Sequence, residues 1–241
     1  MLAKEQIVML HTIKHSDTGM VLNGYSNRYG KASYYYYASK KNAGAALLSP
    51  LAILDAVVMY KHSPGVGSGL PLIKDITPST PIHSIKTDLR KSSIAIYICE
   101  LLSRAIKEIE PNANFFSFLT TSVELLEAMD EGVENFHLHF TSNFCKVMGY
   151  MPQDNYSLLR PHFNFALGEY VADYNKDTCF EPHISKLLNR VLNIPVYELK
   201  NINCNGKVRS DFLNQLLRYI EYHTQTILGL KSLSVLSEVF Q

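Results

Sequence analysis

No stretch of this 241-residue chain is apolar for long enough to cross a bilayer. The longest apolar run, from Ala43 to Val58, is broken by Ser49, Pro50 and Asp55. The first residues, Met1 to Val8, carry Lys4 and Glu5 and have no small-residue cleavage site, so they do not read as a signal peptide. A cytoplasmic protein without membrane contact is the expectation. Cysteine is scarce. Cys99, Cys145, Cys179 and Cys204 contain no C-x-x-C pair, which favours reduced, structural thiols over disulfides.

Catalytic signatures are missing as well. There is no Walker loop, no G-x-S-x-G and no H-E-x-x-H. Gly65-Val66-Gly67-Ser68-Gly69 lacks the Lys-Ser/Thr of a phosphate loop and precedes a strand, so it reads as a hairpin loop. His137 and His139 fall on different faces of a helix. Cys179 and His183 have i, i+4 spacing but no partner pair, whereas a structural zinc needs four ligands. No cofactor, no metal and no enzymatic activity are therefore expected. An enzyme would need convergent acids, His or Cys in one pocket.

What is present is a core-forming composition, 46% hydrophobic, and a lopsided charge. Residues 1–78 hold eight Lys/Arg and four acids, a balance of +4; the remainder balances to −3. A basic N-terminal part suits phosphates, although so small a difference also arises by chance.

Residues 6–15 alternate as a strand, followed by the turn Ser16-Asp17-Thr18-Gly19, a short strand Met20 to Tyr25, and the turn Asn27-Arg28-Tyr29-Gly30. Lys31 to Ala38, Leu51 to Lys61 and Leu70 to Ile76 read as three more strands. Five short strands match a small closed barrel, a sandwich fragment or an SH3-like barrel; the count alone does not separate these. Thr77-Pro78-Ser79-Thr80-Pro81 reads as a domain junction. Beyond Ser84 the period becomes helical, with Ile94, Ile98, Leu101, Leu102 and Ala105 on one stripe. Further helices are expected over Phe115 to Met129, Asn135 to Met148 (closed by Gly149), Pro182 to Leu192, Ser210 to Ile227 and Ser232 to Val239. Residues 151–180 show weak periodicity and read as short strands or loops.

The run Tyr34-Tyr35-Tyr36-Tyr37 puts alternate rings on opposite faces of a strand. An exposed pair beside Lys31, Lys40 and Lys41 would let bases stack on rings and phosphates meet ammonium groups, at roughly 1–3 kcal/mol per stacked base. The plainer reading is that tyrosine favours strands.

Three segments together resemble the RecO family, recombination mediators of the RecF pathway. The first is Ile7 to Asp17 followed by Tyr29-Gly30-Lys31. The second is Ser39-Lys40-Lys41 with Leu48-Ser49-Pro50-Leu51, where Ser49 replaces the usual Gln. The third is Leu217-Arg218-Tyr219-Ile220-Glu221-Tyr222-His223 with Leu230-Lys231-Ser232-Leu233. The resemblance implies an α+β protein: a five-stranded OB-fold barrel over residues 1–79, then a mainly α-helical domain over residues 80–241. It implies binding of single- and double-stranded DNA, strand annealing, and RecA loading with RecR and the acidic C-terminal tail of the single-strand-binding protein. The DNA-binding residues expected are Arg28, Lys31, Tyr34, Tyr36, Lys40 and Lys41. Many family members carry a Cys-x-x-Cys zinc site after a segment matching Gly149-Tyr150-Met151-Pro152. Here Gln153-Asp154-Asn155-Tyr156 follows, and no zinc knuckle is expected. The alternative function is a protein-interaction adaptor whose barrel is mainly structural.

Overall fold

The computed structural model describes residues 1–37, 47–60, 69–107 and 110–241. Five strands, β1 (Leu2–Lys14), β2 (Gly19–Ser26), β3 (Gly30–Tyr37), β4 (Ile53–Met59) and β5 (Leu72–Thr80), precede seven helices and a small hairpin. The strands close in the order β1-β2-β3-β5-β4, with β4 returning to β1. This is the OB-fold. Only the β3–β5 pairing is parallel, and it is two residues long.

β1 can serve two neighbours because it is long and bent. Residues Leu2 to Val8 pair with β4, and Ile7 to Lys14 pair with β2, with a register shift between Met9 and His11. Such a shift turns the strand sharply enough to close a small barrel. The interior holds Ile7, Leu22, Leu54, Val58 and Ile73, all nearly inaccessible. It also holds a carboxylate. Glu5 is 5% exposed and accepts hydrogen bonds from the hydroxyls of Ser26, Tyr34 (2.8 Å) and Tyr60 (2.6 Å). Burial, reinforced by the Glu5 charge, raises both phenol pKa values, so these rings remain donors.

Two expectations are corrected. The segment Thr77 to Pro81 is not a junction up to Thr80: β5 runs on through Pro78, which lies opposite Leu54. Among the described residues the β3–β5 pairing ends at Ile73, while β4 continues alongside β5 to Thr80. β4 begins at Ile53 rather than Leu51, because Leu51 has a left-handed φ of 61° that breaks the extended run.

The helices are α1 (Ser84–Thr87), α2 (Leu89–Ala105), α3 (Ala113–Ala128), α4 (Phe136–Val147), α5 (Pro182–Asn193), α6 (Gly206–Thr224) and α7 (Ser232–Val239). Two compact units result: Met1–Asp88 with Leu102–Glu127, and Leu89–Leu101 with Ala128–Gln241. In the first, the Glu127 carboxylate at the end of α3 accepts from the backbone N–H groups of His83, Ser84 and Ile85, supplying the N-terminal cap that α1 lacks in its own sequence.

In the second unit, Gly149 with φ 87° ends α4 and Tyr150 N–H returns to Cys145 O, a glycine-closed C-terminus. α6 starts a turn earlier than the apolar pattern suggests because Asn205 caps it through Val208 N. The weakly patterned segment forms the hairpin β6 (His162–Asn164) and β7 (Glu169–Val171). Phe163 of that hairpin meets the rings of Tyr170, Phe180 and Tyr219 at 5.2, 5.0 and 5.3 Å, so aromatic packing organises this part. Where relatives are expected to carry zinc-binding cysteines, the Asn155 side chain pairs with both backbone groups of Tyr170, at 2.8 and 3.1 Å, fastening the segment to β7.

Replacing Glu5 by Ala leaves buried hydroxyls without an acceptor and should lower stability by about 3 kcal/mol in chemical denaturation followed by tyrosine emission; an unchanged midpoint would refute the role. A second test uses acid. Burial of Glu127 works against its charged form, but the N–H donors of Ile85, Ser84 and His83 outweigh this and hold the carboxyl below its ordinary 4.5. A depressed carboxyl pKa contributes stability that is present above the unfolded value and is lost as pH falls through the folded one. Glu127→Gln should therefore flatten the stability-versus-pH curve below about pH 4.5 and leave its slope near neutrality unchanged.

Candidate nucleic-acid interface

The two faces of β3 are settled by its partners. Tyr34 and Tyr36 lie opposite Leu22 and Met20 and point into the barrel, 0% and 2% exposed. They have no free ring face for a base, which corrects their expected role in stacking. Lys31, Ser33, Tyr35 and Tyr37 share the outer face.

That outer face has two parts. At one end, Tyr37 is 54% exposed and Tyr35 half-buried, and their rings meet at 4.8 Å. The His15 ring packs edge-on against Tyr35 at 5.6 Å. Exposed Ile13 lies across β2 on the same face, in register with Val21, which pairs with Tyr35. Gly19 makes this platform possible. A Cβ there would stand 2.0 Å from the Tyr35 hydroxyl, so only glycine lets the ring lie over the β1–β2 turn.

At the other end the polar row His11, Asn23 and Ser33 crosses β1, β2 and β3, and Ser33 donates to Asn23 at 2.6 Å. Beside it is a cleft of about 390 Å³, lined by Asn23, Lys31, Ser33, Arg104, Ile106 and Lys107. Three cations thus converge, two of them from the end of α2 and the residues just after it. Tyr35 and Lys31 are four residues apart on one strand, roughly 13 Å. The platform and the cleft are therefore about two nucleotides apart along a stretched single strand.

The remaining expected residues are scattered. Lys31 is half-buried, and its amine donates to the carbonyls of Ser103 and of Ile106 (2.8 Å), so it caps the end of α2 as well as facing the cleft. Burial lowers its pKa. Burial and then the Lys31 charge lower that of His11. Arg28 sits in the β2–β3 turn, at the far end of β3 from Tyr37; its guanidinium reaches Lys4 O at 3.4 Å and lies 5.9 Å from the Tyr29 ring. The neighbouring cleft there is lined by Glu5, Asp55 and Asp75 against the single cation Lys4, a balance that disfavours phosphate. Lys40 and Lys41 lie outside the described residues. Sequence reasoning missed Tyr35, Tyr37, His15, Arg104 and Lys107. The alternation Lys31-Ser33-Tyr35-Tyr37 was a usable signal for the first two, because two polar residues mark the outer face. Nothing local marks Arg104 and Lys107.

Among the described residues no three His, Cys, Asp or Glu side chains gather as a metal group, and no helix is long and apolar enough to cross a membrane.

Residues 86–158 match the family model "Recombination protein O C terminal". The chain is 28% identical to a DNA repair protein RecO of Flavobacterium psychrophilum, over 98% of both chains, and 28% identical to that of Christiangramia forsetii, over 100% of both. The RecO protein of Phocaeicola vulgatus is 26% identical, again over 100% of both chains. Over its whole length the chain is similar to these RecO proteins. The matched model begins within α1 and ends just before the β6–β7 hairpin, while the relatives align along the barrel as well.

Gly19→Ala should push Tyr35 away from His15 and change the ring-current shift of the His15 imidazole protons, at a stability cost of about 1 kcal/mol or less. Unchanged His15 shifts would show that the glycine is not what seats the ring.

Proposed function

We propose that the chain is a DNA repair and recombination mediator that holds single-stranded DNA on the outer face of β1–β2–β3. The observation that carries this reading is the juxtaposition, on one sheet face, of the His15–Tyr35–Tyr37 platform and the cleft of Lys31, Arg104 and Lys107. Bases stack on the rings, and phosphates two nucleotides away meet the cations. Lys14, exposed and next to His15 in the chain, adds a further cation at that end. Duplex DNA uses the cationic part through phosphates alone.

The family resemblance supports the finer activities: annealing of complementary strands, and loading of RecA together with RecR and the single-strand-binding protein. Residues 1–79 are assigned to DNA and 80–241 to protein partners, with Arg104 and Lys107 lending charge to the barrel side.

Fluorescence anisotropy with labelled single-stranded DNA tests the proposal. Neutralising three or four phosphates should give a slope of about −2 to −3 in log affinity against log salt. Tyr35→Ala and Tyr37→Ala should each weaken binding about tenfold. Salt-insensitive binding, or equal affinity for wild type and the double tyrosine variant, would sink the reading.

A further inference from the structure

Between the ring platform and the cationic cleft lies a strip of the outer sheet face with no fixed charge. Tyr35 and Lys31 are four residues apart on β3, and Ser33 stands midway, in one row with Asn23 of β2 and His11 of β1. Two residues along a strand span about 7 Å, so a single strand stretched from the rings to the cleft sets its middle phosphate over this row. Asn23 and Ser33 are neutral and are bonded to each other at 2.6 Å. His11 is the titratable member of the row, and it is exposed.

Ser103 ties His11 to the cleft. The His11 Nδ1 lies 3.4 Å from Ser103 Oγ, and Ser103 O accepts from the Lys31 amine. Among the described residues the His11 Nε2 has no partner. The charged and titratable groups around it, among the described residues, are Lys14 and His15 on its own strand, Tyr25 on β2, Lys31 and Tyr35 on β3, and Arg104 and Lys107 at the end of α2 and just past it. None of these is a carboxylate. Burial, with the Lys31 charge adding to it, lowers the imidazole below its ordinary 6.5, so the ring is neutral at neutral pH in the free protein. A phosphate brought onto the row reverses this balance, because its negative charge offsets the Lys31 repulsion and favours the imidazolium. Protonation ensures an N–H at Nε2 and adds the charge that strengthens its bond to a phosphate oxygen.

We propose that His11 is a phosphate-binding residue of the single-stranded DNA site and takes up a proton as the DNA binds. The assignment rests on the DNA reading above and adds one contact within it. Lys31 supplies fixed charge at the cleft, but two of its three donors are already engaged by the carbonyls of Ser103 and Ile106. The imidazole adds its charge only with the ligand present, so affinity for DNA is linked to pH. At high pH the ring is neutral in free and bound protein alike, and affinity is lowest. As pH falls through the bound-state midpoint, affinity rises. It levels off below the free-state midpoint, where both forms carry the proton.

The test is fluorescence anisotropy of labelled oligo(dT) with the full chain, because neither thymine nor the phosphodiester titrates in mild acid. From about pH 8 to about pH 5.5 the affinity should rise at least about fivefold. Over the same range the slope of log affinity against log salt should steepen by about 0.7, the share of one further phosphate contact. His11→Gln should lose most of the rise. His11→Lys, charged throughout, should bind at about pH 8 as tightly as the wild type does at about pH 5.5. By NMR, the titration midpoint of the His11 imidazole should lie higher with oligo(dT) bound than without it. A rise retained in His11→Gln, or a midpoint that oligo(dT) leaves unmoved, would overturn the assignment, while Tyr35-dependent binding at about pH 8 would leave the DNA reading standing. Absence of binding at every pH would remove both.

Discussion

A carboxylate closed inside a barrel fixes what the outside can be. Glu5 of β1 gathers hydroxyls from Ser26 of β2, Tyr34 of β3 and Tyr60 just past β4. Those bonds come from three directions, so the group is satisfied only when all three neighbours are seated. Leaving an ionised oxygen in such a place without donors is among the costliest errors a core can contain. Tyr34 is therefore drawn inward, and strand alternation does the rest: Tyr36 follows it, and Lys31, Ser33, Tyr35 and Tyr37 must face out. The composition of the outer face is a consequence of an interior acid.

Carboxylates perform a second service in the helical parts. Glu127 supplies the N-terminus of α1, and Glu100 accepts from Lys231 and Ser232 N–H at the start of α7. Neither α1 nor α7 has a side-chain cap of its own. Both helices are short, and short helices depend on such outside help more than long ones do. The acids lie more than forty residues away from one helix and more than a hundred from the other.

This distance explains what was and was not legible in the sequence. Elements with a local signature were readable: the alternation of β1, the glycine that closes α4, Pro182 at the first turn of α5, and the apolar stripe of α2. Features set by a remote partner were not. Pro78 reads as a breaker although β5 runs on through it opposite Leu54, and Leu51 reads as extended until its φ is known. The tyrosine run was recognisable as a strand, but its facing depended on Glu5. The cationic cleft needed α2 brought against the sheet, so Arg104 and Lys107 were invisible. The OB-fold itself came from the family resemblance, since strand count alone left three architectures open.

Lys31 carries one more implication. Its amine closes the C-terminal end of α2 from seventy-two residues earlier in the chain, and the last partner of Glu5 is Tyr60, fifty-five residues on. A growing polypeptide therefore exports β1, β2 and β3 well before the groups that complete them exist. Until Tyr60 emerges, the barrel has an acid with an incomplete shell; until Ser103 emerges, the outer lysine has no carbonyls to hold. The first three strands therefore gain their full set of partners only from residues made well after them.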